Sequence, residues 1–289
     1  MPLRPQFRLF IPQHRCHSHW KQRFVPVKVL DNITPKIDLA EPAILPGRFR
    51  SIPAISKWFT PYPSKKGDSG FHELNVSYLT QHGDTIVPLE LTQVSSSPSN
   101  DLQISSFERF EAPLSLLLSY IKSTQDSSTN LYLAQCSLDN LPVDLQADLP
   151  TPSLISVMGR GDIYGSSLWL GQPPTRTPLH RDPNPNVFVQ LAGKKVIRLM
   201  KPDAGNWLYE RLRVGDGHAN MRGDEMMVGT EMERLEAAVW RDEGVVDKYV
   251  KGWEAELGSG DLLYIPLGWW HAVRGIGKGI NGSANWWFR

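Results

Sequence analysis

The strongest periodic signal along the chain falls in residues 107–121. There Leu114, Leu117, Leu118 and Ile121 recur at i, i+3, i+4 and i+7, one apolar stripe that predicts a helix over Phe107–Ile121. Elsewhere in the first half the signals are shorter. Ala43-Ile44-Leu45 before Pro46-Gly47 predicts a strand and a turn, and Pro53–Phe59 predicts a short helix. Phe71–Leu79, Ile86–Thr92 and Leu131–Ala134 read as strands, with polar loops at Ser95–Asn100 and Ser123–Asn130. From Ser166 onward strands dominate: Ser167–Gly171, Asn186–Ala192, Lys195–Met200, Trp253–Leu257, Asp261–Pro266 and Ala284–Phe288. Gly, Pro and Asn turns separate them, the pattern of a sandwich or barrel rather than of βαβ units. A charged insertion at 203–250, helical over Glu225–Asp242, interrupts the series.

These signals divide the chain into three: a basic tail over 1–35, an α-rich, mixed α/β support region over 36–130, and a β-barrel over 131–289 carrying the insertion. The first 30 residues contain no Asp or Glu, yet they hold Arg4, Arg8, Arg15, Lys21, Arg23 and Lys28. Such a segment reads either as a mitochondrial transit peptide or as an unstructured basic tail, and Pro2, Pro5, Pro12 and Pro26 interrupt any amphipathic helix in it. The expected location is accordingly mitochondrial, or else cytoplasmic or nuclear. Over all 289 residues, 31 Lys and Arg face 30 Asp and Glu, a balance that disfavours a dedicated nucleic-acid binder. Cys16 and Cys136 form no CxxC pair, so neither a disulfide framework nor a cysteine-built zinc site is expected. No apolar run reaches the ~18 residues of a membrane span.

Candidate chemistry sits in the barrel region. His180 and Asp182 stand two apart, so on a strand both side chains reach one face. His271, at the end of Gly260-Asp261-Leu-Leu-Tyr264-Ile-Pro266-Leu-Gly268-Trp-Trp-His271, is the best third partner. Two imidazoles and a carboxylate make the facial triad that holds Fe(II) with open positions. Taken singly each residue has a plainer reading: a surface turn at Asp182-Pro-Asn-Pro-Asn186, and a buried core histidine beside Trp269 and Trp270. Lys195 adds to the set. Period-2 alternation after Gly193 turns it inward with Ile197 and Leu199, and leaves Lys194, Val196 and Arg198 outward. A lysine pointing into an apolar barrel either meets an anion or snorkels at the strand end.

At these residues the chain resembles the JmjC-type 2-oxoglutarate oxygenases of the cupin superfamily, closest to the hydroxylase subgroup typified by the asparaginyl hydroxylase that inhibits hypoxia-inducible factor. The resemblance rests on Thr177-Pro-Leu-His-Arg-Asp-Pro-Asn-Pro-Asn-Val-Phe-Val-Gln-Leu-Ala-Gly-Lys-Lys195 and on the G-x5-P-x-G-x2-H run ending at His271. It implies a double-stranded β-helix, or jelly-roll, and Fe(II) held by His180, Asp182 and His271. It further implies 2-oxoglutarate as cosubstrate, its distal carboxylate on Lys195, Thr177 and Tyr132, with Asn186 and Asn285 lining the metal end and Trp287 walling the substrate side. An Asn four residues past the second histidine is common in cupins; here Gly275 stands in its place. The implied reaction is hydroxylation of a protein side chain, with N-methyl-lysine demethylation as the same chemistry. The alternatives are a tRNA-modifying hydroxylase, another metal cupin, and a non-catalytic fold used for binding or assembly. The sequence stops at Arg289, directly after the strand carrying Asn285, so a monomer, or a dimer unlike the carboxyl-terminal-helix type of that subgroup, is expected.

Overall fold

In the computed structural model, residues 23–30, 38–62, 71–96, 102–123, 128–213, 227–241 and 251–289 are described. The expected basic tail lies mostly outside them. Five short strands come first: β1 (Phe24–Pro26), β2 (Lys28–Val29), β3 (Ala43–Leu45), β4 (Phe59–Pro61) and β5 (His72–Leu74). The long pair β6 (Ile86–Ser96) and β7 (Leu102–Pro113) and then β8 (Thr129–Ser137) follow. The remaining strands are β9 (Ile163–Gly171), β10 (Thr175–Arg181), β11 (Asn186–Ala192), β12 (Lys194–Met200), β13 (Gly252–Leu257), β14 (Leu262–Ile265), β15 (Trp270–Ile276) and β16 (Asn281–Phe288). Helices are α1 (Pro53–Trp58), α2 (Val76–Leu79), α3 (Leu114–Ser123), α4 (Val143–Asp148), α5 (Ile155–Met158), α6 (Pro202–Leu212) and α7 (Thr230–Trp240).

Two sheets face each other. The smaller runs β1-β13-β12-β15-β10, the larger β2-β3-β14-β11-β16-β9-β8-β6-β7. The fold is mainly β and forms the expected jelly-roll. The larger sheet is continuous across residue 131, since β6 and β7 join β8 and β9 in one ladder. Alternation along the strands then assigns three apolar zones. Val187, Val189, Ala284, Trp286 and Phe288 pack outward from the larger sheet against α1, α3, α4 and α5. Phe188, Ile197, Leu199, Ala255, Leu263 and Val273 fill the space between the sheets. Leu179, Met200, Trp270 and Ala272 pack under α6 and α7, against Leu208, Tyr209, Leu235 and Val239. Among the described residues, no helix is long and apolar enough to cross a membrane.

Three expectations change in detail. The helix predicted over Phe107–Ile121 begins only at Leu114, because residues 107–113 continue β7 and pair with β6 from Phe107↔Thr92 to Pro113↔Ile86. Pro113, unable to donate further into a ladder, marks the change of structure. Phe71–Leu79 is strand only over His72–Leu74; the Asn75 side chain then accepts from the Tyr78 N–H and caps α2. Strands β10 and β15 carry no clear alternation, and the first is broken by a register shift between Thr177 and His180. The helix expected within the insertion is observed as Thr230–Trp240, with 214–226 and 242–250 outside the described residues. The polar loops expected at Ser95–Asn100 and Ser123–Asn130 lie partly outside them too.

Candidate metal centre

Strands β10 and β15 are hydrogen-bonded neighbours, and their register sets His180 opposite His271. Both imidazoles turn inward, 6% and 3% exposed, with ring centroids 4.1 Å apart. Asp182 stands just past the end of β10. Its Oδ2 lies 3.5 Å from His271 Nε2 and its Oδ1 4.0 Å from His180 Nε2. One ligand atom from each of the three falls within 4.8 Å of the others.

The donor chemistry of this trio suits a divalent metal. Nδ1 of His180 faces the Pro178 carbonyl at 2.8 Å, and Nδ1 of His271 faces the Trp269 carbonyl at 3.2 Å. Each Nδ1–H therefore donates to backbone, which leaves both Nε2 lone pairs aimed at Asp182. Burial first, and then the neighbouring His271, push His180 down to about 4, so its imidazole is neutral at physiological pH. Burial alone would raise the Asp182 carboxyl; the imidazoles of His271 and His180 and the amide of Asn186 hold it below its ordinary value. Asn186 Nδ2 donates to Asp182 Oδ2 at 2.9 Å, and Asn285 Nδ2 donates to Asn186 Oδ1 at 3.0 Å. Trp287, two past Asn285 on the same strand face, also helps to lower the carboxyl.

A second polar cluster lies deeper between the sheets. Lys195 is 3% exposed on β12, inward as the alternation predicts, while Lys194, Val196 and Arg198 are half-buried on the other face. Its Nζ donates to Ser283 Oγ at 2.7 Å and to the Tyr132 hydroxyl at 3.3 Å, beside the ring of Phe188. Among the described residues no carboxylate pairs with it, and burial pushes it down to about 7. Burial raises the Tyr132 phenol far above its ordinary value, so that group stays a neutral hydroxyl. Thr175 bonds Tyr132, whereas Thr177 is half-buried two residues further along β10. Gly275 pairs with both Lys195 and Thr175, and a Cβ there would lie 2.3 Å from Thr175 Oγ1, too close for a side chain.

Sequence reasoning missed Ser283, Thr175 and Trp169. Ser283 lies two residues before Asn285 on β16, a strand buried on both faces, so no alternation of polarity marks it. Trp169 packs against Tyr132 with ring centroids 6.3 Å apart. Among the described residues, the buried indole N–H of Trp169 and the buried Oδ1 of Asn285 find no partner. Unpaired polar atoms at this depth are costly unless a ligand meets them.

A jelly-roll with two histidines and a carboxylate at one end of its interior, and an ammonium without a carboxylate partner among the described residues deeper inside, is the arrangement of a metal-binding cupin. The chain belongs to the cupin-like domain family, whose model matches residues 35–289, and its relatives place it among the JmjC proteins. It is 32% identical over 161 residues to "Lysine-specific demethylase JMJ30" of Arabidopsis thaliana, covering 54% of this chain and 33% of that protein. It is 28% identical over 261 residues to "Jumonji C domain-containing protein 5" of Drosophila melanogaster, covering 88% of this chain and 56% of that one. It is also 28% identical over 173 residues to "Lysine-specific demethylase 8" of Danio rerio, covering 58% and 38%. The chain thus spans between a third and just over half of the length of these three relatives. Their names bear out the JmjC resemblance and do not single out its asparaginyl-hydroxylase subgroup.

Proposed function

We propose that this chain is an Fe(II)- and 2-oxoglutarate-dependent oxygenase that hydroxylates a side chain of a protein. The observation that carries the reading is the juxtaposition, in one interior, of the His180–Asp182–His271 cluster and the buried Lys195 ammonium, which meets no carboxylate among the described residues. When bound, iron and 2-oxoglutarate supply dioxygen activation, with decarboxylation of the cosubstrate and oxygen insertion into a C–H bond. His180, Asp182 and His271 are the residues that would hold the iron, and a facial set of three leaves the opposite positions open.

The chain's own part is placement. Lys195 would neutralise the distal carboxylate of the cosubstrate, with Ser283 and Tyr132 offering hydroxyl donors and Thr177 at the rim of that pocket. A charge-assisted contact of this kind contributes about 1.5–3 kcal/mol net. Asn186 fixes the rotamer of Asp182, and the unpaired Oδ1 of Asn285 faces the same metal end. Trp287 and Trp169 wall the cavity and keep water from it.

The names of two of the three relatives support a second reading, N-methyl-lysine demethylation, in which the hydroxylated carbon is the methyl group. The test is turnover of purified protein with Fe(II), 2-oxoglutarate and candidate protein substrates, followed by mass spectrometry. A retained +16 mass on the substrate marks hydroxylation; loss of 14 with formaldehyde release marks demethylation. Absence of succinate in every condition, with iron bound, would favour a non-catalytic binding protein instead.

A further inference from the structure

Asp182 is a ligand without a ladder. Strand β10 ends at Arg181, which forms the last pair with Trp270 of β15, one step beyond the His180↔His271 pair. A carboxylate one residue past a strand end drifts with the fraying of that end unless something holds it. Asn186 restrains its side chain from within. From outside, the terminal pair itself is clamped by α6, the first helix of the insertion.

A single atom makes the clamp. Asn206 Oδ1 accepts from the Trp270 indole N–H at 3.0 Å and from Arg181 Nη1 at 3.4 Å, and the Arg181 guanidinium lies over the Trp270 ring at 5.6 Å. The helix can approach so closely because the residue before Asn206 is Gly205: a Cβ there would lie 2.1 Å from Trp270 Cγ. Tyr209, one turn on, packs on the same indole at 5.1 Å between centroids. Each residue bound to Asn206 therefore adjoins a ligand in sequence, Arg181 between His180 and Asp182, and Trp270 before His271.

We propose that Asn206 is a positioning residue for the metal centre, tying the ends of β10 and β15 together so that Asp182 stays within reach of both imidazoles. The insertion then does more than border the cavity, since its first helix sets the spacing of the ligands. This inference rests on the metal reading above, and the experiment separates the two.

The probe is Co(II), followed by its visible absorption bands during titration, with thermal melting recorded alongside. Wild-type protein should bind Co(II) saturably and His180→Ala should not; failure at this step overturns the metal reading itself. Given that binding, Asn206→Ala should weaken Co(II) by roughly tenfold or more, the usual effect of removing a group that orients a metal ligand. It should also shift the band positions. Asn206→Asp keeps an acceptor oxygen for Trp270 and Arg181 and should return affinity and spectrum close to wild type. Arg181→Gln alters an exposed side chain, so it tests the clamp even where the Ala variant does not fold, and it should weaken binding in the same direction. Wild-type affinity and bands in Asn206→Ala, or in Arg181→Gln should the former not fold, overturn the proposal. Equal weakening in Asn206→Ala and Asn206→Asp would reduce the residue to a purely structural role and overturn it too.

Discussion

Burial brings the Lys195 ammonium from 10.5 down to about 7, so near neutrality the protein without cosubstrate is a mixture of charged and neutral lysine. An unfolded lysine stays charged up to about 10.5, so this depression costs stability below pH 7, and the cost is relieved as pH rises between the two values. A dianionic cosubstrate reverses the balance by favouring the charged form. Binding of 2-oxoglutarate to Mn(II)-loaded protein should therefore take up close to one proton at pH 8 and about half a proton at pH 7. Calorimetry in two buffers of different ionisation enthalpy measures this directly; no proton uptake at pH 8 would separate Lys195 from the cosubstrate. Replacing Lys195 by Ala should raise the Kd for 2-oxoglutarate roughly ten- to a hundredfold, following the ~1.5–3 kcal/mol of a charged contact. Asp182→Ala should lose iron on gel filtration, and full metal content in that variant would refute the ligand assignment. These residues were legible because each is chemically out of place: a lysine within an apolar alternation, and a His-x-Asp at strand spacing. Ser283 and Thr175 were not, since a small hydroxyl residue suits a surface as well as a pocket, and β16 is buried on both faces with no polarity alternation to mark its inner side.

At the scale of elements, the helices that buttress the larger sheet are short, and one buried carboxylate ties three of them. Asp148, 1% exposed at the end of α4, accepts from Lys57 Nζ at 2.5 Å and Trp58 Nε1 at 2.8 Å on α1, and from the Tyr78 hydroxyl at 2.6 Å on α2. Burial would raise this carboxyl, but the three donors together hold it below its ordinary value. A carboxyl depressed in the folded state stabilises above its unfolded pKa, and that contribution disappears as pH falls through the folded one. Asp148→Ala leaves the Trp58 N–H buried without an acceptor and should cost about 2–4 kcal/mol at pH 7. Urea unfolding should show the gap to wild type closing toward acid pH; a gap independent of pH would mean that packing, not the carboxylate, holds α4. Local sequence could not foresee this tie, which joins residues 70 to 91 positions apart. Elements were legible where a local rule decided them, as at Ala43–Leu45 and Asn186–Ala192, and illegible where pairing overrode it, as where β6 draws residues 107–113 into a strand.

For the molecule as a whole, the site is where two sheets meet. His180, His271 and Lys195 belong to the smaller sheet, while Asn186, Ser283, Asn285 and Tyr132 belong to the larger one. Asp182 bridges them, because its carboxylate is bonded by Asn186 across the gap. Ligands seated between the sheets therefore add contacts that the empty protein lacks, and anything that binds only the folded state stabilises it by mass action, about 2.7 kcal/mol at a hundred times Kd. Mn(II) and 2-oxoglutarate together should raise the Tm by several degrees, the metal supplying one increment and the cosubstrate a second. The increments are separable by variant. His271→Ala should lose both, since the cosubstrate would need the metal as well as the ammonium. Lys195→Ala should keep the metal increment and lose most of the other. The fold makes this pattern specific, because Lys195 stands four residue pairs from the nearest metal-ligand pair along the β12–β15 ladder, Lys195↔Gly275 against Leu199↔His271, and so acts on the metal only through a molecule spanning the distance. A cosubstrate increment that survives unchanged in Lys195→Ala would place 2-oxoglutarate outside the interior of the jelly-roll.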